Sequence, residues 1–345
     1  MAIYDIDGNE IVSAYDVDGT EIDTAYDVDG SEVFSPSEPE PKPVFNPYSI
    51  NNVAEYLRQP TLAMESEINQ LSTDWTNFVF ITDPHGKANK QHSQAVALYL
   101  LSNVANISRI VLNGDYVDDA WYQTEYDIFM QPFLDSDCIE RTYATVGNHD
   151  HGHEQQIYDD FLADKTDIIG SAEDCYYYVD IPTKKLRLMF VNTSNGSAYL
   201  GVSTDELTWI QQNVVLPSTD WHLCVIGHSN PNSLGGITTM NMSGASDFIS
   251  AVNQCNGHIV GYFCGHQHID DTRLISGGFQ QTTLLCDRFE NTNYYDGLSV
   301  TNRVEGTANE QAISIISINT KTRNVVVRRI GAGWESIVNS LHYSY

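Results

Sequence analysis

Five short polar motifs, each preceded by an apolar run, constrain the fold of this chain more than any other feature. The motifs are Asp83-Pro-His85, Gly114-Asp115-Tyr-Val-Asp118, Gly147-Asn148-His149-Asp150, Gly227-His228 and Gly265-His266-Gln-His268. The apolar runs have the length and composition of buried strands, and functional side chains of α/β proteins collect where parallel strands end. We therefore expect all five motifs to lie together at one edge of a sheet.

Strand-like and helix-like segments alternate through most of the chain. One or two short helices are predicted between Val53 and Leu71, and others over Gln91–Val104, near Tyr122–Phe133 and after the capping box Ser203-Thr-Asp-Glu206. The apolar runs between them predict strands, with hairpins at residues 176–193 and 312–329. Strands in two groups with helices outside predict an α/β fold, a four-layer α/β/β/α sandwich.

The N-terminal residues have a different organisation. Residues 1–33 contain three copies of an eleven-residue acidic repeat, which begin at Tyr4, Tyr15 and Tyr26 and carry Asp-Gly between short alternating runs. Asp-Gly favours a tight hairpin turn, so the repeats predict small β-turn units. Residues 34–48 are rich in proline and predict an extended linker, which leaves residues 49–345, with all five motifs, as the main domain.

The role of the repeats has two interpretations. Asp-x-Asp-Gly resembles the start of a calcium-binding loop, but the glutamate that completes an EF-hand loop has no counterpart at the right offset. The favoured interpretation is a structural or adhesive segment, through which residues 1–33 would contact an assembly or a surface. The repeats weakly resemble those of phage-associated and surface-associated proteins of gut bacteria.

Charge and cysteine content restrict the partners and the compartment. The formal net charge of −29 disfavours nucleic acid and anionic membranes as partners, because both require a basic surface. No apolar run approaches the ~20 residues that span a bilayer, and the N-terminus has no secretion signal, so a cytoplasmic location is expected, with virion or surface association as the alternative. The six cysteines are scattered and predict buried, reduced thiols.

The polar residues of the motifs supply the donors of a metal site. Carboxylate and imidazole groups together suit divalent ions such as Mn, Fe or Zn. A carboxylate can also bridge two ions through its two oxygens, and Asp115 is the candidate for that role. Glycines beside the motifs would let the backbone approach the cluster closely. The sequence therefore predicts a centre for two divalent metal ions.

The five motifs, in this order and spacing, resemble those of the calcineurin-like metallophosphoesterase superfamily, and the resemblance covers about residues 78–268. It implies hydrolysis of a phosphate ester, as a phosphomonoesterase or a phosphodiesterase, by a hydroxide shared between the two metal ions. By the same resemblance, one ion would be held by Asp83, His85, Asp115 and His268. The other would be held by Asp115, Asn148, His228 and His266.

The resemblance also assigns two catalytic residues and a branch of the family. His149 would protonate the leaving oxygen or steady the transferring group, and Asp118 would orient it as a His–Asp pair. Protein Ser/Thr phosphatases carry phosphate-binding arginines beside the second and third motifs, where this chain has Asp119 and Val146. We therefore expect a phosphate-ester substrate other than a phosphoprotein. The alternative is a virion or surface component whose repeats anchor a phosphoesterase domain that acts on or binds envelope phosphate polymers.

Overall fold

A computed structural model describes residues 25–26, 32–34, 49–86, 91–119, 122–195, 199–232, 242–275, 278–288, 303–333 and 341–345. Backbone contacts divide the chain into two units, Met1–Asn46 and Pro47–Tyr345. In the first unit, β1 (Ala25–Tyr26) pairs antiparallel with β2 (Glu32–Phe34), on either side of the third Asp-Gly. The first two repeats and almost all of the predicted linker lie outside the described residues, so the roles of residues 1–48 stay predictions.

The second unit contains thirteen strands and six α-helices among its described residues. The helices are α1 (Glu55–Asn69), α2 (Gln91–Asn103), α3 (Gln123–Leu134), α4 (Glu154–Ile157), α5 (Thr204–Asn213) and α6 (Ala245–Val252). The strands are β3 (Trp75–Ile81), β4 (Ile107–Asn113), β5 (Thr142–Thr145), β6 (Ile168–Ser171), β7 (Tyr176–Ile181), β8 (Leu186–Phe190), β9 (His222–Ile226), β10 (His258–Cys264), β11 (Asp271–Leu274), β12 (Gln280–Thr283), β13 (Ala312–Asn319), β14 (Asn324–Gly331) and β15 (His342–Ser344).

The strands form two mixed sheets. One sheet has the order β15-β14-β13-β3-β4-β5, in which β3, β4 and β5 are parallel. The other has the order β11-β12-β10-β9-β8-β7-β6, in which β8, β9, β10 and β12 are parallel. The two predicted hairpins are present as β7–β8 and β13–β14.

Strand β9 shows how the layers are built. Its residues Cys224 and Ile226 face a hydrophobic core that also contains side chains of the other sheet. The alternate residues Leu223 and Val225 face a second core, to which Ile210 of α5 and other helix residues contribute. Successive side chains of a strand point to opposite faces, so β9 is buried on both sides. Helices α1 and α2 pack against the first sheet, which confirms the four-layer α/β/β/α sandwich.

Two local predictions are refined. Ser203 caps α5 by accepting a hydrogen bond from the Glu206 backbone N–H at 3.1 Å. The Glu206 carboxylate is fully buried and accepts from the Asn192 backbone N–H at 2.7 Å, so only one half of the predicted capping box is a helix cap.

All six cysteines are free thiols, and five of them are buried. Within the described part of the chain, no helix is both long enough and apolar enough to cross a bilayer.

Candidate metal centre

Six of the seven predicted ligands, all except Asn148, meet where β3, β4, β9 and β10 end. Three groups of metal-ligating side chains lie there, each with donor atoms within 4.8 Å of one another. The groups are Asp83, His85 and His268; His85, Asp115 and His149; and Asp115, His228 and His266. The first and third correspond to the two ligand sets that the motif resemblance implies, and the second joins them.

The first group is compact. His268 Nε2 lies 3.2 Å from Asp83 Oδ1 and 3.0 Å from His85 Nε2. The same His85 nitrogen lies 3.9 Å from Asp83 Oδ1. Two imidazole nitrogens and a carboxylate oxygen therefore converge on one small volume, an arrangement that suits a single divalent cation.

The third group shares Asp115 with the second, which in turn shares His85 with the first. Oδ2 of Asp115 lies 2.9 Å from His228 Nε2 and 3.7 Å from His85 Nε2, so one oxygen faces both groups. His266 Nε2 and Asn148 Oδ1 are buried polar atoms without a hydrogen-bond partner. Buried polar atoms are almost always paired, so these two unpartnered atoms fit ligands of a cation. The residues present thus offer donor atoms that suit divalent cations.

Backbone conformation sets this cluster apart from the rest of the described chain. Nine described non-glycine residues have a positive φ angle, and five of them are predicted ligands. These five are Asp83, His85, Asp115, His266 and His268. A left-handed conformation costs a non-glycine residue about 1 kcal/mol or more and collects at functional sites. These backbone conformations direct the five side chains into the cluster.

Buried backbone contacts hold the strained turns in place. The Asp150 carboxylate accepts hydrogen bonds from the backbone N–H groups of Asp115, Tyr116 and Gly147, at 2.7, 2.7 and 2.8 Å. A side chain at Gly265 would overlap Thr82 Oγ1 and the Asp83 carboxylate. Asp150 therefore holds two motifs together, and Gly265 allows a third to approach Asp83.

Electrostatics prepare the cluster for cations. Burial opposes ionisation of Asp83 and Asp115, but the facing histidines lower the pKa of Asp83 to about 2 and hold that of Asp115 well below its usual range. Burial, assisted by His228, lowers the pKa of His266 to about 4. Burial alone would lower the pKa of His228, but Asp115 and Asp83 raise it to about 9. The carboxylates thus stay anionic and attract positive charge.

The contact between His149 and Asp118 differs from the predicted one. His149 Nδ1 lies 2.6 Å from the backbone carbonyl oxygen of Asp118, not from its carboxylate. A carbonyl only accepts, so Nδ1 carries the proton and Nε2 is left for chemistry. The Asp118 carboxylate instead places one oxygen 3.4 Å from His85 Nδ1 and 2.8 Å from Arg288 Nη1. The predicted His–Asp pair is therefore made through the main chain.

Arg288 is a candidate functional residue that the motifs did not reveal. It follows β12, and its backbone N–H donates to the Asp83 carbonyl oxygen at 3.0 Å. This bond and the ion pair with Asp118 place a partly exposed guanidinium at the rim of the cluster. Arg288 belongs to none of the five motifs. Its place beside the cluster depends on the pairing of β12 with β10, which a local sequence pattern does not reveal.

Sequence comparison identifies the family. The family model described as "Calcineurin-like phosphoesterase" matches residues 76–270, more than half of the chain. The chain belongs to the calcineurin-like phosphoesterases. As a metallophosphoesterase it is a phosphoric ester hydrolase. A search of curated proteins finds no match to the chain.

The chain is similar to several solved structures. A dimetal phosphatase from Danio rerio is similar over 74% of this chain and 96% of its own, with a TM-score of 0.55 and 12% identity. A purple acid phosphatase from yellow lupin seeds matches 76% of this chain and 52% of its own, with a TM-score of 0.49 and 12% identity. A putative 5'-nucleotidase from Staphylococcus aureus covers 75% of this chain and 54% of its own, with a TM-score of 0.42 and 12% identity.

Proposed function

We propose that this phosphoesterase hydrolyses a phosphate ester at a centre for two divalent metal ions. The observation that carries the proposal is the linked set of donor groups, in which Asp115 belongs to the group of His228 and also to a group with His85, which in turn lies in the group of Asp83. Asp83, His85, Asp115 and His268 would hold one ion, and Asp115, Asn148, His228 and His266 the other. Mn, Fe and Zn all suit this mixture of oxygen and nitrogen ligands.

The bound ions would supply Lewis acidity, because they lower the pKa of a water molecule and neutralise phosphoryl oxygens. The protein contributes the shape of the site. Neutral imidazole is the form that ligates metal, so a bound ion would replace the proton on His228 Nε2, which faces Asp115, while the Asn113 carbonyl, 2.7 Å from Nδ1, keeps the other proton in place. The Asp118 carboxylate has the corresponding position at His85 Nδ1.

His149 is the candidate general acid. Its Nδ1 proton is held by the Asp118 carbonyl, and its ring lies 4.9 Å from that of His85. When protonated at Nε2, the imidazole can give that proton to the leaving oxygen as the phosphorus–oxygen bond breaks. The Asp118 carbonyl steadies the imidazolium by keeping its hydrogen bond in both protonation states.

Arg288 is the candidate phosphate-binding residue. A guanidinium presents five N–H donors, so it can keep the Asp118 contact and still donate to a phosphoryl oxygen. Its charge adds to that of the ions in a chain whose formal net charge is −29. This local positive charge explains how a strongly acidic protein would attract an anionic ester.

Turnover on a substrate panel tests the proposal. The purified full-length protein is loaded separately with Mn, Zn and Fe and assayed on a phosphomonoester and a phosphodiester. Metal-dependent hydrolysis of either ester is expected, and its loss in the His149→Ala variant assigns the activity to this site. Absence of hydrolysis with all three metals, in protein that has bound them, would contradict the proposal, and the ester that is hydrolysed defines the substrate class.

A further inference from the structure

A second cavity, of about 460 Å³, lies at the opposite edge of the sheets from the metal centre. This cavity, the basic pocket, has six basic residues in its lining: Lys184, Lys185, His222, His258, Lys321 and Arg323. His222 and His258 begin β9 and β10, whereas His228 and His266 follow the ends of the same strands. Strands rise about 3.3 Å per residue, so roughly 20 Å separates the basic pocket from the metal centre.

Both sheets contribute cations to the basic pocket. Lys184 and Lys185 belong to the β7–β8 turn of one sheet, and Lys321 and Arg323 to the β13–β14 turn of the other. The Thr320 hydroxyl donates to the Lys184 carbonyl at 2.8 Å and joins the two turns. Four of the chain's 17 Lys and Arg residues therefore line one cavity, in a protein with a net charge of −29.

The carboxylates that line this cavity do not balance its cations. Asp220 pairs with Lys185, and Asp74 pairs with Lys321 at 2.6 Å. Among the described residues, Lys184 and Arg323 have no carboxylate within ion-pair distance. Lys184 donates to the Thr73 carbonyl, and Arg323 Nη2 lies 2.9 Å from His258 Nε2. An excess of two positive charges is left, before either histidine is protonated.

The two histidines respond to this excess. Burial, His258 and Arg323 lower the pKa of His222 to about 4, and burial and Arg323 lower the pKa of His258. The groups that face the two imidazoles are Lys185, Asp220, Arg323 and Tyr345, whose hydroxyl lies 3.0 Å from His222 Nδ1. An anion placed among these groups would offset the part of each pKa shift that comes from the neighbouring positive charges.

We propose that the basic pocket binds a phosphate dianion, either free or as the end group of a small metabolite, separately from the metal centre. Two cations without carboxylate partners, from two turns that Thr320 ties together, supply charge-assisted donors in a preformed arrangement. The cavity is also larger than one phosphate needs and falls in the size range of small-molecule sites. An organic group attached to the phosphate therefore has room.

Calorimetric titration of the full-length protein tests this site. Inorganic phosphate and phenylphosphonate, whose phosphorus–carbon bond resists hydrolysis, serve as probes, each with and without chelator to remove metal. Binding that persists in chelator and falls at least tenfold in the Lys184→Gln/Arg323→Gln double variant is expected. Arg273→Gln, which removes one charge from β11 outside the pocket, is the matched control and should bind as the wild type does.

The histidine resonances supply an independent readout at the site. Phosphate should raise the pKa of the His258 imidazole, followed by NMR, in the wild type and not in the double variant. Tighter binding of phenylphosphonate than of inorganic phosphate would identify a metabolite end group, and the reverse order would identify free phosphate. Equal affinity in wild type and double variant, or His258 resonances that do not respond, would overturn the proposal. Neither readout depends on turnover, so failure here is distinct from failure of the proposed phosphoesterase mechanism.

Discussion

Replacement of Asp118 by alanine separates the role of its backbone carbonyl from the role of its carboxylate. The variant keeps the backbone carbonyl that accepts from His149 Nδ1. It removes the carboxylate that lies 3.4 Å from His85 Nδ1 and 2.8 Å from Arg288. The structure therefore predicts a defect in metal binding and in the position of Arg288, with His149 still oriented.

The size of the effect follows from these contacts. Loss of a hydrogen-bond partner to a metal-ligating histidine costs about 10- to 100-fold in metal affinity or activity, or about 1.4 to 2.7 kcal/mol. Loss of a general acid costs about 10²- to 10⁴-fold in turnover. Asp118→Ala should thus weaken metal binding 10- to 100-fold and recover to within about tenfold of wild-type kcat when metal saturates the site.

The assay is a metal titration of phosphoesterase activity, run beside direct metal binding at equilibrium. Asp119→Ala is the matched control, because it removes the adjacent carboxylate, which is exposed, and should change neither quantity. A variant at Asp118 that binds metal as tightly as wild type, yet loses turnover as severely as His149→Ala, would refute the reasoning. That result would mean that the carboxylate acts on His149 after all.

Three further substitutions probe the same centre. His149→Ala should retain both metal ions by metal analysis. Its kcat should fall about 10²- to 10⁴-fold, because only the proton donor is removed. Full activity would contradict the assignment of His149 as the general acid. Arg288→Ala should lower kcat/KM about 10- to 150-fold, the value of about 1.5–3 kcal/mol for a hydrogen bond to a charged group, with Arg288→Lys intermediate; wild-type kinetics would exclude a phosphate contact. Gly265→Ala should lower metal affinity, because the added methyl group overlaps Asp83. It should also lower the free energy of unfolding, measured by thermal unfolding, by about 1–3 kcal/mol. Unchanged metal affinity would contradict the need for glycine at this turn.

The sequence predicted much of the fold because the motifs and the periodicity agree. Apolar runs placed β3, β4, β9 and β10 and their polar ends, and parallel strands bring such ends together whatever the loops do. The β7–β8 and β13–β14 hairpins were readable for the same reason, because each has two strand-like runs around a short turn. The grouping of strands into two sheets with helices outside is confirmed in the structure.

Contacts made across the fold were not readable from local patterns. Arg288 and Asp118 are distant in the sequence, and only the pairing of β12 brings their side chains together. The orientation of His149 depends on whether a carbonyl or a carboxylate of the same residue faces it, which residue spacing does not encode. Glu206 looked like a helix cap, but its carboxylate turns to the buried Asn192 N–H instead.

The basic pocket shows the same limit on a larger scale. Lys184 and Arg323 belong to turns of different sheets, and each turn alone reads as an ordinary solvent-exposed loop. The overall net charge of −29 concealed them, because composition averages over the surface. Only the packing of the two sheets reveals that these cations face one cavity.

The number of metal ions bound per chain tests the central claim most directly. Purified full-length protein, equilibrated with Mn or Zn and freed of excess metal, should contain two ions per chain by elemental analysis. Replacement of Asp115 by alanine should abolish binding at both positions, because its carboxylate faces both donor groups. Wild-type protein with no bound ion, or an Asp115→Ala variant that still retains two, would contradict a shared dinuclear centre.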